Sequence, residues 1–217
     1  MSLVIGINGS PRKRGNTATM IEHALNGAKS KGADIELVHL YDLSFKGCIS
    51  CFACKRSGGN RSPRCAIKDE LTPLLDKIEH ADAIFLGSPI YIGDFTSSTR
   101  AFIERFLYPQ VSYEEGTFSY FKRPLSVGIL CTMGASEARV TQAGYDRVPA
   151  MAEQVFKIIV GSGESVVSVD TTQFDDYGKY LASRFNPDEK ARIHRDQFPK
   201  DCAKAFEMGA RFASAGK

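Results

Sequence analysis

The chain is informative first for what it lacks. No apolar run approaches the roughly 20 residues a membrane-spanning helix needs, so no membrane partner is expected. Met1-Ser2 runs directly into Leu3-Val4-Ile5-Gly6-Ile7, with no charged leader and no small-residue cleavage site, so a cytoplasmic location is expected. Net charge is +3 over 217 residues, too little to argue for a nucleic-acid partner, and Arg12-Lys13-Arg14 is a single basic loop tip. There is no internal repeat, low-complexity block or Pro/Gly/Ser-rich linker, and residues 1–217 read as one domain. The four histidines, His23, His39, His80 and His194, are scattered without ligand spacing and read as surface or capping residues. No Ser-His-Asp or paired-carboxylate arrangement is discernible.

Two further absences narrow the loop that organises the chain, Gly9-Ser10-Pro11-Arg12-Lys13-Arg14-Gly15-Asn16-Thr17. It has no G-x-x-x-x-G-K-[ST], which excludes a nucleoside triphosphate loop, and no G-x-G-x-x-G, the dinucleotide fingerprint. What it does have is an apolar run before it and a helical pattern after it, with Ala18, Ile21, Leu25 and Ala28 on one face. Strand, polar loop and helix together aim backbone N–H groups and a positive dipole end at an anion. Ser10, Asn16 and Thr17 add side-chain donors, and Arg12 adds a planar fork suited to phosphate oxygens. The loop reads as a cradle for one terminal phosphate monoester; the alternative is an ordinary capped turn with a solvated basic tip.

Further along, Ile35 to Leu40 reads as a second strand, Ala83 to Gly87 as a doubly buried third, Leu125 to Cys131 as a fourth and Ser165 to Val169 as a fifth. Helices are expected around Leu71–Ile78, with Thr72-Pro73 as a possible cap and first position, and from about Ser97 to Leu107. A later helix is expected to bury Val148, Met151, Val155, Ile158 and Ile159. Asn186-Pro187-Asp188-Glu189 opens a C-terminal helical segment, about 187–213, which Pro199 should kink or break. Five strands alternating with helices imply an α/β fold with a parallel sheet wound on both sides. Its ligand site lies beyond the carboxyl ends of the strands. Ser10–Thr17, Ser88-Pro89-Ile90-Tyr91-Ile92-Gly93 and Thr132-Met133-Gly134 all fall at that end.

These three motifs in this order resemble the NAD(P)H-dependent FMN reductase family, and within it the branch of multimeric flavodoxins and iron–sulfur flavoproteins. The resemblance runs from residue 3 to about residue 212. It implies a flavodoxin-like three-layer sandwich with a five-stranded parallel sheet in the order 2-1-3-4-5, with FMN as cofactor and NAD(P)H as electron donor. Carried over by position, Ser10, Arg12, Asn16 and Thr17 would hold the FMN phosphate. Ser88, Pro89, Ile90, Tyr91 and Gly93 would wrap the isoalloxazine, and Thr132, Met133 and Gly134 would line its pyrimidine side. Tyr91 could equally be a half-buried packing residue. The acceptor would be a quinone, a nitro compound, a metal complex or a protein; the rivals are an electron carrier with a ferredoxin-type donor and a flavin-binding protein without turnover. The absence of a catalytic triad suits a protein whose cofactor does the chemistry. The resemblance, with the aromatic connection Tyr108, Tyr113, Phe118, Tyr120 and Phe121, also implies a homodimer or homotetramer.

Four of six cysteines fall in one long segment, about 44–68, as Cys48-x2-Cys51-x2-Cys54-x10-Cys65. Two consecutive x2 spacings put three thiolates around one turn, which is how iron–sulfur clusters are held. Free thiols, zinc or a redox disulfide remain as alternatives. The last interval, with Gly58-Gly59-Asn60 and Ser62-Pro63, is longer than the resembling branch uses. Cys131 and Cys202 read as buried small residues.

Overall fold

A computed structural model describes residues 2–57 and 63–215. Gly58, Gly59, Asn60 and Ser62, read above as spacers, lie outside the described residues. The first unit is β1 (Leu3–Asn8), α1 (Asn16–Lys29) and β2 (Asp34–His39). The long cysteine-bearing segment leads to α2 (Thr72–Ile78), then β3 (Ala83–Tyr91), β4 (Asp94–Phe95) and α3 (Ser97–Leu107). The second half contains β5 (Ser126–Thr132), α4 (Glu137–Ala143), α5 (Arg147–Val160), β6 (Glu164–Ser168), α6 (Pro187–Asp196) and α7 (Phe198–Ala215). Among the described residues no helix is long and apolar enough to cross a membrane.

The sheet runs β2-β1-β3-β5-β6, all parallel, which is the expected 2-1-3-4-5 order. Strand residues alternate between two cores. Ile5, Ile84 and Ile129 meet Leu74, Phe102, Phe106 and Phe156 of α2, α3 and α5 on one side. Val4, Phe85 and Val166 meet Ile21 and Leu25 of α1 and Met208 and Phe212 of α7 on the other. Burial on both faces explains why the middle strands read as unbroken apolar runs.

Three expectations need correction. The third strand does not stop at Gly87. It continues to Tyr91 and folds back through Ile92-Gly93 into β4, a sixth and antiparallel strand. Pro89 is tolerated there because β1 ends at Asn8 opposite Gly87, so beyond that point no strand needs an N–H from that side. On α5 the core takes Ala152, Phe156, Ile159 and Val160, whereas Met151 is 60% and Ile158 50% exposed. Two apolar stripes lie side by side on this helix, and the one with the smaller Ala152 fits against the sheet. Thr72 is not the cap of α2: Leu71 is, with its N–H donated to Asp69 Oδ1, and Thr72 Oγ1 accepts from the Asp69 N–H. α4 was not expected at all.

The C-terminal segment follows its sequence signals. Asn186 caps α6 by accepting from the N–H groups of Asp188 and Glu189, and the chain breaks at Gln197 before Pro199 enters the first turn of α7.

Candidate functional site

The carboxyl end of the sheet is a crevice whose three loops are bonded to one another from beneath. The Gly9 N–H donates to Gly87 O at 2.8 Å, joining the first loop to the third strand. Thr96 Oγ1 donates to Gly9 O at 2.6 Å, and the hydroxyls of Thr17 and Thr132 meet at 2.7 Å, both fully enclosed. Gly9 is required by the approach: a Cβ there would stand 1.8 Å from Thr99 Oγ1.

The structure brings together the residues expected to form the cradle, but it gives their side chains other duties. Ser10, 5% exposed, uses its hydroxyl to accept from the Arg12 N–H at 3.1 Å. Thr17 lies under the crevice rather than on its wall. Arg12 Nη1 donates to Gln173 O at 2.6 Å, and Asn16 Nδ2 donates to Thr172 O at 2.8 Å. The backbone N–H groups of the first turn of α1 receive no side-chain cap, because the N-cap residue is Gly15.

The second loop is a tight hairpin. Ile92 (φ 51°) and Gly93 (φ 79°) are both left-handed, as a two-residue hairpin turn demands. Gly93 suits this geometry; the β-branched, fully exposed Ile92 does not, and carries strain at the tip. Ser88, 1% exposed, donates to Pro89 O and accepts from the Thr96 N–H. Ile90 pairs with Phe95 across the hairpin, and Tyr91 is 47% exposed beside the crevice. In the third loop the Met133 N–H donates to Ser168 O, and Gly134 lies so close to the Gln173 amide that a Cβ would stand 2.6 Å from its Nε2. Opposite Thr132, the buried Ser168 hydroxyl has no hydrogen-bond partner among the described residues.

Several contributors were invisible in the sequence. Lys190, only 5% exposed, reaches from α6 to bond Gly134 O and Asp170 Oδ1. His194 Nε2 meets Asn16 Oδ1 at 3.1 Å while its ring stacks on Phe198, and burial pushes its pKa down. Because Asn16 Nδ2 is committed to Thr172 O, the amide oxygen faces His194, which must therefore carry its proton on Nε2. His39 Nδ1 meets Asn8 Nδ2 at 3.0 Å, and Asn8 Oδ1 accepts from the Ser10 N–H. Two of the four histidines thus support the first loop; nothing in their spacing signalled it.

Cys48, Cys51, Cys54 and Cys65 line one small cavity against the C-terminal end of α3. Among the described residues no group of three His, Cys, Asp or Glu side chains stands close enough to hold a metal ion. Burial raises the Cys54 thiol pKa; Lys55 opposes the rise, while Cys65 and Cys48 add to it. Two cations clamp the loop. Arg105, 1% exposed, donates from Nε to Cys65 Sγ at 2.9 Å, bonds Lys46 O and Ile67 O, and grips Asp69 with both Nη atoms. Burial alone would raise the Asp69 carboxyl, but Arg105 outweighs it and the pKa falls. Lys55 donates to Tyr108 O at 2.6 Å and Pro109 O at 3.2 Å, within a cage of the Tyr108, Tyr113 and Tyr120 rings. The aromatic connection therefore serves the cysteine loop. A Tyr113 hydroxyl contact at 3.0 Å pushes the Tyr108 phenol up to about 12. Cys131 and Cys202 are buried as expected, with thiol pKa values pushed by burial to about 12 and about 11.

A parallel sheet in flavodoxin order with helices on both faces defines the class: a flavodoxin-like α/β protein. The chain belongs to the NADPH-dependent FMN reductase family, whose model matches residues 2–172. It is 38% identical to an iron–sulfur flavoprotein of Methanocaldococcus jannaschii over 102 residues, 47% of this chain and 50% of that protein. It is 36% identical to an iron–sulfur flavoprotein of Archaeoglobus fulgidus over 102 residues, 47% of each. The chain spans about half the length of these curated relatives. Similar folds include an azoreductase from Bacillus anthracis (TM-score 0.67, 14% identity, 97% and 100% of the two chains covered). Another is an NAD(P)H:quinone oxidoreductase from Methanothermobacter marburgensis (TM-score 0.65, 16% identity, 96% and 98% covered).

Proposed function

We propose that this protein is an FMN-dependent oxidoreductase that takes electrons from NADH or NADPH and delivers them to a small-molecule or protein acceptor. The observation that carries the reading is the union of three loops at one sheet edge, through the Gly9–Gly87 and Thr17–Thr132 bonds. Membership of the FMN reductase family supports it, as do fold relatives that include a quinone oxidoreductase and an azoreductase. In this reading the whole chain, 1–217, works as one FMN-binding unit.

The residues present fit the group. The uncapped N–H groups at the start of α1 receive the phosphate, with Ser10 and Thr17 fixing the loop from below. Arg12 and Asn16 flank it, and Arg12 exchanges the neutral Gln173 carbonyl for a charged oxygen, which is the stronger partner. Ser88, Pro89, Ile90, Tyr91 and Gly93 wrap the ring, and Thr132, Met133 and Gly134 line its pyrimidine side. When bound, FMN supplies the capacity to accept a hydride from the nicotinamide and release the electrons onward. The chain's share is to orient the ring and exclude water around it. Steady-state oxidation of NAD(P)H with a quinone, in protein containing one FMN per chain, tests the reading. FMN-loaded protein that oxidises neither nicotinamide would instead favour an electron carrier.

A second reading concerns the cysteines, and the single cavity they line favours it. Cys48, Cys51, Cys54 and Cys65 would hold a [4Fe–4S] cluster, for which the names of the curated relatives are further support. Iron and sulfide analysis after anaerobic purification decides it. For assembly, we propose a homodimer or homotetramer using the exposed Tyr113 and Phe118; light scattering at micromolar concentration giving a monomeric mass would refute this.

A further inference from the structure

The outer apolar stripe of α5 does not face open solvent alone. Val148, Met151 and Val155 form one wall of a cleft of about 290 Å3, floored by Phe95, Ile103 and Phe156. Ligand clefts run from about 300 Å3 upward, so this one suits a molecule of one or two rings. Its rim begins at Gly93, the last residue of the ring-wrapping hairpin, against which the Tyr145 ring packs. The rim carries three charges. Arg100 is matched by Asp94 at 3.8 Å, whereas Arg147 has no carboxylate partner among the described residues. The cleft therefore combines an apolar interior with one unbalanced guanidinium, which can present a planar fork to a carboxylate or sulfonate.

We propose that this cleft binds small ring-bearing organic monoanions, an apolar body of one or two rings with one carboxylate or sulfonate, and that it is the substrate end of the flavin site. The second half rests on the flavin reading above; the binding half does not. A second copy of the chain is the competing occupant. The small volume of the cleft and the single unmatched guanidinium at its rim favour a small anion over it.

The test uses the full chain as purified, with naphthalene-2-sulfonate and the neutral 2-naphthylmethanol titrated calorimetrically. The sulfonate should bind about tenfold more tightly than the alcohol, the scale of one charge-assisted contact. Arg147→Gln should abolish that preference, and Met151→Glu should weaken both ligands; both side chains lie at the surface, so the variants should fold and keep their FMN. In FMN-loaded protein the bound sulfonate should shift the flavin absorption bands. The binding proposal is overturned by absence of saturable binding, by a preference that survives in Arg147→Gln, or by self-association that Met151→Glu disperses. An unmoved flavin spectrum overturns the substrate half. Protein that takes up no FMN yet binds the sulfonate refutes the flavin reading and leaves the cleft standing.

Discussion

The crevice at the sheet edge and the cysteine loop are built differently. The crevice loops are joined to one another by short, neutral hydrogen bonds among buried hydroxyls and backbone groups, Thr17 with Thr132 and Thr96 with Gly9. Charged side chains add to these at two places, Arg12 on Gln173 O and Lys190 on Asp170. The cysteine loop is held by ions: Arg105 with Asp69 beneath it, and Lys55 within three tyrosine rings beside it. Neutral bonds between strand ends need little desolvation and leave the loops rigid on the sheet. Among the described residues the cysteine segment has no strand of its own, so its position depends on two cations. Arg105 reaches out from α3 into the loop, and Lys55 reaches from the loop to the connection after α3.

That contrast can be broken most directly at Arg105. Arg105→Met leaves Asp69 without its partner and frees both arms of the loop. The expected cost is about 3–5 kcal/mol, the range for breaking a buried pair, reduced somewhat by the 17% exposure of the Asp69 side chain. Chemical denaturation measures it, and the four thiols should become more accessible to alkylation while the sheet-edge loops stay in place.

A smaller effect is expected in the crevice. Thr17→Val orphans the enclosed Thr132 hydroxyl, next to a Ser168 hydroxyl that already lacks a partner among the described residues, at a cost of about 1–3 kcal/mol. The double variant Thr17→Val, Thr132→Val should cost less than the sum of the singles, because no unpaired hydroxyl of the pair remains. An additive result would mean the bond contributes nothing.

The pH dependence sharpens the same comparison. Burial lowers the pKa of folded His194 below its ordinary 6.5. The unfolded chain therefore binds a proton first as pH falls. His194 contributes full stability above about 6.5 and loses it between that value and its lowered folded pKa. His194→Gln, which keeps a donor toward Asn16, should flatten the decline in melting temperature over that window. An unchanged decline would show that the ring titrates as in water.

At the hairpin tip, Ile92→Asn should raise stability by about 1 kcal/mol, since asparagine tolerates the left-handed region better than a β-branched residue. A thermal unfolding curve reads this directly.

These residues also mark what was legible in the sequence. The alternation of strands and helices and the Asn186 cap were readable because each depends on local spacing, whereas the strand order came from the family resemblance. The β3–β4 hairpin was not, because Ile92 occupies a position where glycine or asparagine would have announced the turn. The buried face of α5 was misjudged because two apolar stripes adjoin, and only packing against the sheet chooses between them. Arg105, Lys190 and His194 were missed for a common reason: a charged or titratable residue reads as surface until its partner, 20 to 178 positions away, is brought beside it. Asn16 and Thr17 lie in the first turn of α1, and their side chains bond Thr172 O and the Thr132 hydroxyl, partners more than 100 positions away that no local pattern signals.

The central claim, that the first loop is a phosphate cradle for FMN, is most directly tested by titrating the apoprotein with FMN and with riboflavin, which differ only in the phosphate. FMN should bind at least about a hundredfold more tightly, and Arg12→Ala should remove about 1.5–3 kcal/mol of that advantage, the range for a charged hydrogen bond. Equal affinity for riboflavin and FMN would contradict the account.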